Sequence, residues 1–485
     1  MRWWAEEIRM TSSDVDSLLE AYRTRRWTVR QVTTAFLKKA VIMNQLTNFT
    51  AEFLAHQALS QADALDTHQA TTDTLKGPLH GIPTSLAEPI PLPDHTTAPH
   101  CGIVSRITTT TEPTPPLLHL ASQLRKAGAV LHLRTNTNQA LIGHLACENN
   151  ILGRTLNPLD RRLSPGGPCG GEGVAVGSGC AVLGVAMGDV GGVGLLPAAF
   201  GGDRCYGFKP TSGTAVLGAA DSSGVGPLAR SVEGLRAWME ATAPGVSPGN
   251  PDLGSFTVGV LRDDGIATPH PPVRRALTTA AEKLRSAAGV SVRVVEWAPH
   301  DHARAHALNS RLCFPDGGRR FLDEFAASGE RPVPSVVQAL DEARRSCVAG
   351  LEGPVAVARE RERYQREHDA LMAGRGVDFI LGPAYVGAGA LRDDASGYSH
   401  YTSVWEVLDL PSVVMPSGLR CDRAVDVKDE TYVPESDVDR AVWAAYDPEL
   451  FDGFPVALQL VGRRAKDEEV LTAAGVLDKI LNGGS

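Results

Sequence analysis

The most chemically suggestive stretch of the sequence is a glycine-rich run, GDVGGVGLLP, at 188–197. Such a turn can hold a reactive side chain close to a substrate, because glycines let the backbone approach closely. The position where that side chain is expected carries Val193, which has no nucleophilic atom. The sequence therefore predicts a tight turn with an apolar residue at its reactive position.

Three other groups carry side chains suited to catalysis or metal binding. Cys169 becomes a nucleophile if its thiolate is stabilised, although free cysteine is more often a buried core residue. Glu88 becomes a general acid or base if burial raises its pKa, although a solvated or hydrogen-bonded structural glutamate is commoner. His302 and His306 have the i, i+4 spacing that a metal ion uses on a helix. No third ligand follows at a known spacing, so exposed helical histidines are the simpler interpretation.

The composition excludes several classes of function. The 485 residues carry a net charge of −9 and 43% of them are hydrophobic. An acidic chain has no basic field to attract phosphate backbones, so we expect no nucleic-acid partner. The eight cysteines include no CxxC pair, which favours reduced thiols in an intracellular, cytoplasmic protein. We expect no signal peptide. We also expect no membrane span, because the most apolar run, 173–202, is rich in glycine and contains Asp189.

The spacing of apolar residues predicts an α/β protein. It is helical from 12 to 65, whereas AVLHLRTN at 129–136, FTVGVLRDD at 256–264 and VSVRVVEW at 290–297 resemble strands. Between the last two, the segment 270–289 begins with prolines and ends at a glycine, which is typical of a helix. This alternation favours a central mixed β-sheet covered by helices.

Five segments, in this order, resemble the amidase signature family. They are GPLHGIPTSLAEPI (77–90), LRKAGAVLHLRTNTN (124–138), ENNILGRTLNPLDRRLSPGGPCGGEGVAVGSG (148–179), GDVGGVGLLPAAFGGDRCYGFKPT (188–211) and GPLARSVEGL (226–235). Towards the C-terminus, YTSVWEVLDLPSVVMP and YDPELFDGFPVALQLVGRR are similar to the branch that contains fungal acetamidases and fatty-acid amide hydrolases. The resemblance covers nearly the whole chain. It implies the amidase-signature fold, no metal or cofactor, and a homodimer as the common assembly.

The resemblance divides the single domain, 1–485, into parts. We expect an N-terminal helical region at 1–75, the signature core at 76–240 and a mostly helical flank or cap at 299–374.

The resemblance also implies where a Lys, cis-Ser, Ser triad would lie. The lysine position falls on Ala87, the relay serine on Pro168 and the nucleophilic serine on Val193, so all three groups are replaced. Ala87 has no amine to accept a proton. Pro168 removes a hydroxyl but favours the cis geometry, because a cis bond costs about 0.5 to 1 kcal/mol before proline and about 2.5 to 4 kcal/mol elsewhere. We therefore predict a cis Gly167–Pro168 bond.

The backbone of the glycine-rich turn matches the family's oxyanion hole at Val190, Gly191, Gly192 and Val193. These N–H groups do not depend on the lost serine side chain, and one such donor stabilises a transition state by about 2.7 to 4 kcal/mol. Asp189 matches the acid that orients this turn in the family, and we expect the same structural role here.

Other positions in the resembling segments line or brace the family's site. Thr135 and Asn138 are expected to brace it. Leu195 stands where the family commonly has arginine, which removes charge near the old nucleophile and fits an apolar small-molecule substrate. The predicted substrate-binding residues are Ala87, Pro168, Ser85 and Leu195.

Three functions are open at this point. We favour a repurposed enzyme that promotes a cyclisation, isomerisation or rearrangement in secondary metabolism, with the backbone amides stabilising an enolate or polarised carbonyl. The second is a pseudo-amidase that binds a ligand or a protein without catalysis. The third is residual amide or ester hydrolysis through Cys169 or an activated water.

Overall fold

An eleven-stranded mixed sheet runs through the centre of the molecule, in the order β1-β3-β2-β6-β8-β7-β12-β13-β11-β9-β10. The computed structural model describes residues 5–93, 99–107, 115–143, 145–188, 195–214, 224–243, 253–349, 353–393 and 398–483. The strands of this sheet are β1 Thr50–Phe53, β2 Pro83–Ala87, β3 Val130–Thr135, β6 Leu183–Gly188, β7 Tyr206–Lys209, β8 Gly224–Ala229, β9 Phe256–Leu261, β10 Val292–Trp297, β11 Phe379–Pro383, β12 Ser412–Arg420 and β13 Pro455–Val461. A separate two-stranded ladder joins β4 Glu148–Asn149 to β5 Gly153–Arg154.

Helices cover the sheet on both faces. They are α1 Ala5–Ser12, α2 Val15–Arg23, α3 Val29–Thr47, α4 Ala55–Thr72, α5 Pro115–Lys126, α6 Gly170–Gly177, α7 Leu196–Phe200, α8 Val232–Thr242, α9 Pro271–Ser286, α10 His302–Cys313, α11 Arg319–Ser328, α12 Pro334–Ala349, α13 Pro354–Arg375, α14 His400–Leu408, α15 Asp437–Ala444, α16 Pro448–Phe451 and α17 Asp467–Asn482. Together these elements form the single α/β domain that the sequence predicts.

The pairing of the strands explains why β2 and β3 are completely buried. β2 lies parallel to both β3 and β6, and every residue of β2 and of β3 is buried. Parallel strands are covered on both faces by their crossover helices, so no solvent-facing polar positions remain. The ends of these buried strands point towards the same edge of the sheet as the start of α6.

Helix α9 shows how local sequence determines an element. Pro271 and Pro272 open it, where a missing N–H costs no helical hydrogen bond. Its buried residues recur every three or four positions, and they are Pro272, Val273, Ala276, Leu277, Ala280, Ala281 and Leu284.

The prediction of helical spacing from about 12 to 65 misses one strand. β1 interrupts this spacing at Thr50–Phe53, where the chain pairs antiparallel with β3. Four residues are too few to give a clear period in the sequence, so only the tertiary pairing reveals this strand.

Helices α6 and α7 approach each other through backbone alone. A Cβ on Gly177 would overlap the carbonyl oxygen of Gly201, and one on Gly173 would lie 2.8 Å from the carbonyl oxygen of Pro197. Glycine is therefore needed at both α6 positions to keep α7 this close to α6.

No helix in the described part of the chain combines the length and the apolar character needed to cross a membrane.

Candidate functional site

The Gly167–Pro168 peptide bond lies directly before α6, and it is cis as predicted. We call residues 166–169 the Pro168 turn. The carbonyl oxygen of Pro168 accepts a hydrogen bond from the backbone N–H of Asn138 at 2.7 Å. Ala87 is the last residue of β2, fully buried, and pairs with Thr135 at the end of β3. We call the ends of β2 and β3 together with the Pro168 turn the junction. It contains Ala87 and Pro168, two of the three positions that the resemblance assigns to the triad.

The glycine-rich turn falls outside the described residues. The residues predicted there are Asp189, Val190, Gly191, Gly192 and Val193, and their roles stay predictions. Leu195 follows the turn as the buried residue before α7. Its side chain packs beside Gly207 of β7, where an added Cβ would lie 3.1 Å from Leu195 Cδ2.

Glu88 is anchored by main-chain donors. Its carboxylate accepts hydrogen bonds from the backbone N–H groups of His100 and Cys101, both at 2.9 Å. The guanidinium of Arg134 lies 3.4 Å away, so a cation is present although Ala87 replaces the family's lysine. These contacts are those of a structural carboxylate, and catalysis by Glu88 stays a prediction that they do not favour.

Cys169 lies in the core with its sulfur between two main-chain groups. Its Sγ donates to the carbonyl oxygen of Met187 at 2.6 Å and accepts from the Met187 N–H at 3.3 Å. Burial raises the pKa of the thiol well above its usual value. Because the thiolate is the nucleophile, a thiol held neutral in this way is poorly reactive.

Glu172 is the titratable group that the sequence analysis missed. Its carboxyl is fully buried on α6, where Oε2 accepts from Ser85 Oγ and Oε1 from Thr135 Oγ1, both at 2.6 Å. Burial raises its pKa to about 7, against the opposing effect of the two hydroxyl hydrogen bonds. A charged residue inside the otherwise apolar run 170–177 is the sequence feature that could have identified Glu172. Ser85 and Thr135 thus brace the junction through this carboxyl.

Asn138 joins the Pro168 turn to the helical flank, which we define as α10 to α13 at 302–375. Besides the bond from its N–H to Pro168, its Nδ2 donates to Ser335 Oγ of α12 at 3.0 Å. Its Oδ1 accepts from the backbone N–H of Glu148 at 2.8 Å. One side chain thereby fixes three segments relative to one another.

A cavity of about 260 Å³ opens beside this turn, between the loop after β3 and helices α10 and α12. The loop contributes Gly143, Leu145 and Ala146, and their backbone packs directly on Gly167. The other residues that line the cavity are Glu148, Arg154, His306, Asn309, Ser310, Cys313, Phe314, Pro334, Ser335, Gln338, Ala339, Glu342, Arg392 and Asp393. This is the candidate substrate cavity, because it adjoins the position of the family's relay serine.

Two groups of charges lie at opposite sides of this cavity. On the side of the core, Arg154 donates to Glu148 at 2.5 Å and to Asp393 at 2.7 Å, so its charge is neutralised within the protein. On the side of the flank, His306 hydrogen-bonds Glu342. The cavity therefore combines an apolar lining with acceptor groups on its helical wall.

The histidine pair of α10 is divided between two environments. His302 is buried with its ring edge-on to Trp405, and burial lowers its pKa to about 4. His306 faces the cavity and its ring lies 3.7 Å from that of His400. In the described part of the chain, no three His, Cys, Asp or Glu side chains are placed to hold a metal ion.

Comparison with known proteins places this chain in a family. The Amidase family model matches residues 31–471. The chain is 32% identical to an acetamidase of Emericella nidulans, over 98% of this chain and 90% of that protein. It is 31% identical to an acetamidase of Aspergillus oryzae, over 98% of this chain and 91% of that protein. A solved fatty acid amide hydrolase superposes with a TM-score of 0.88 at 29% identity, over 99% of this chain and 87% of that one. The chain described here belongs to the amidase signature family.

Proposed function

We propose that this protein hydrolyses the carbon–nitrogen bond of amides and releases a carboxylic acid and an amine or ammonia. The observation that carries the proposal is the similarity, over 98% of the chain, to proteins named acetamidase. The cavity supports it, because it provides room for a small amide near the position that the resemblance assigns to the relay serine.

The hypothesis of a non-hydrolytic cyclase or isomerase in secondary metabolism is wrong. The Amidase model covers most of the chain, and the similar proteins carry the names of amide-cleaving enzymes. The hypothesis rested on three replaced side chains. Missing residue types show which catalytic groups are absent, but they do not identify a different reaction.

The finer part of the proposal concerns the nucleophile. The family's lysine and two serines correspond to Ala87, Pro168 and Val193, and none of these has a group that attacks a carbonyl. Cys169 is a poor substitute, because burial keeps its thiol protonated. We therefore assign the attack to a water molecule, whose oxygen bonds to the amide carbon while the leaving nitrogen takes up a proton.

This reaction requires a group that accepts a proton from the water. Glu172 is our candidate for this proton acceptor, since its carboxyl joins the strands that carry Ser85 and Thr135 to the helix that follows Pro168. A pKa of about 7 also matches the working pH of a general base. In the proposal its two hydroxyl partners relay the proton.

The remaining stabilisation of the transition state would come from the backbone N–H groups at 190–193. In serine proteases that lose their triad, such donors and substrate binding alone sustain about 10³ to 10⁴-fold acceleration over water. We accordingly expect slower turnover than a complete triad gives.

Ammonia release from acetamide and benzamide by the purified protein tests the proposal directly. We expect release above that from heat-inactivated protein, and little change in Cys169→Ala or after iodoacetamide treatment. Glu172→Gln should lower kcat by at least about tenfold, since general bases contribute about 10² to 10⁴-fold. It should also remove the rise of kcat with pH around 7.

The exposed Glu449→Gln is the matched control for Glu172→Gln and should keep the activity and pH profile of the wild type. A second comparison uses the triple variant Ala87→Lys, Pro168→Ser, Val193→Ser, which restores the family's groups. If only this variant releases ammonia, the natural chain is a pseudo-amidase and the hydrolase proposal fails. Loss of all activity in Cys169→Ala would instead identify the thiol as the nucleophile.

A further inference from the structure

The cavity beside the Pro168 turn is larger than the smallest amide substrates need. Its volume is about 260 Å³, whereas an engineered apolar cavity of about 150 Å³ already binds benzene. Acetamide is smaller than benzene and would leave most of the space unfilled. The volume therefore suits an amide that carries a compact group of ring size.

One wall of the cavity is apolar and gives such a ring a surface to pack against. Leu145 comes from the loop after β3, Phe314 from the end of α10 and Ala339 from α12. Phe314 also belongs to the small core of the flank, so its ring is held in place from behind. Burying a ring against these residues is favourable by about 25 cal/mol per Å² of apolar surface.

The α10 side of the cavity presents an acceptor with no partner. Asn309 is 4% exposed, and its Oδ1 has no hydrogen-bond partner among the described residues. A buried acceptor without a donor costs about 1 to 3 kcal/mol. A ligand that brings an N–H group to this oxygen would recover that energy.

The charge on this wall favours a cationic donor. The Glu342 carboxylate, which bonds His306 one turn before Asn309, is 42% exposed in its side chain. On the opposite side, Arg154 is already matched by Glu148 and Asp393. Arg392 lies in the same group and pairs with Asp393 at 3.3 Å. The two guanidinium groups and the two carboxylates balance each other there, so the acceptors of the helical wall set the preference.

We propose that this cavity binds the non-reacting part of the amide substrate, a compact ring that ends in an ammonium or other N–H donor held by Asn309 and Glu342. The inference rests on the proposed hydrolytic function, because it assigns the cavity to the substrate of that reaction. It makes the protein an amidase for ring-sized, amine-bearing amides.

Two nearly isosteric ligands test this subsite by binding alone. 4-(Aminomethyl)benzamide and 4-ethylbenzamide share the ring and the amide but differ in the terminal amine. Isothermal titration calorimetry at pH 7 should give a Kd at least tenfold lower for the amine, and ammonia release is measured in parallel. Equal Kd values for the two ligands would overturn the proposal.

Asn309→Leu keeps the volume of the side chain and removes the acceptor. We expect it to reduce the preference for the amine to less than threefold, and Glu342→Gln to reduce it in the same direction. Glu449→Gln, on the exposed surface, should keep the tenfold preference. Thermal melts confirm that each variant is folded, and a folded Asn309→Leu that keeps the full preference would contradict the assignment.

The two proposals fail in different ways. A tenfold preference without ammonia release supports the subsite and refutes hydrolysis. Release of ammonia from acetamide without measurable binding of either benzamide refutes the subsite and leaves the hydrolytic function standing.

Discussion

The Pro168 turn and the helical flank meet at one cavity, but the backbone is packed differently in the two regions. At the turn, an added Cβ on Gly167 would lie 2.9 Å from the nitrogen of Ala146 and from the carbonyl oxygen of Gly143. In the flank, an added Cβ on Gly374 of α13 would meet nothing within 4 Å. At the turn, backbone lies against backbone, whereas the flank has open space at Gly374.

This difference shows how one family can keep a fold while its chemistry varies. Backbone contacts at the turn are independent of which side chains follow, so Pro168 and Ala87 fit there without disturbing it. Side chains on the flank line the cavity, so changes there alter what it binds. The four predictions below test the contrast, from the largest expected effect to the smallest.

Gly167→Ala should break the turn. A methyl group on Gly167 cannot fit against the backbones of Gly143 and Ala146, so we expect a loss of about 4 kcal/mol or more in the free energy of unfolding. Melting temperature and far-UV circular dichroism measure this loss. A variant that melts within two or three degrees of the wild type would show that the backbone contacts can relax.

Glu172 makes the stability of the core depend on pH. Burial raises its pKa from 4.5 to about 7, so the folded state favours the protonated acid. The stability this contributes is complete below pH 4.5 and is lost as pH rises through 7, by about 3 kcal/mol at pH 8. Glu172→Gln should therefore melt with less pH dependence between pH 5 and 8. Parallel melting curves for the two proteins would contradict this.

His368 gives the flank the opposite dependence. Burial lowers its pKa from 6.5 to about 3, and neither ring nitrogen has a hydrogen-bond partner among the described residues. The folded state therefore favours the neutral ring, so stability is complete above pH 6.5 and falls as pH decreases, by about 3 kcal/mol at pH 4. His368→Phe keeps the ring contacts with Trp297 and Trp405 and should reduce the loss of stability at acid pH. The smaller loss that remains is due to His302. Melting curves from pH 4 to 7 measure the change.

Gly374→Ala should stabilise the flank. The residue lies in the last turn of α13 with open space around it, and alanine in a helix is favoured over glycine by about 0.5 to 1 kcal/mol. A small rise in melting temperature is the expected result. A fall would mean that the flank is packed as tightly as the turn, and the contrast between the two regions would not hold.

The sequence predicts those parts of the fold that short-range patterns determine. The strands β3, β9 and β10 and helix α9 follow from apolar spacing, proline and glycine. The cis Gly167–Pro168 bond is predicted from the resemblance to the family together with the proline. β1 escaped detection because it is short and is defined by its pairing with β3.

The candidate site is less accessible to sequence reasoning. Glu172 acquires its character from Ser85 and Thr135, which lie 87 and 37 residues away, and from complete burial. Asn309 stands out only because the surrounding chain leaves its oxygen without a donor. Such properties come from tertiary packing, so residue type alone could not identify them. Resemblance identified the family correctly, but the reaction inferred from the replaced residues was wrong.

The hydrogen bonds of Asn138 have a consequence for how the two regions communicate. This residue touches the carbonyl of Pro168 through its N–H and Ser335 of α12 through its side chain. A ligand that contacts α12 is therefore connected to the turn through Asn138, and thermodynamic linkage requires any coupling between the two to be equal in both directions. A change that breaks either bond of Asn138 removes this connection.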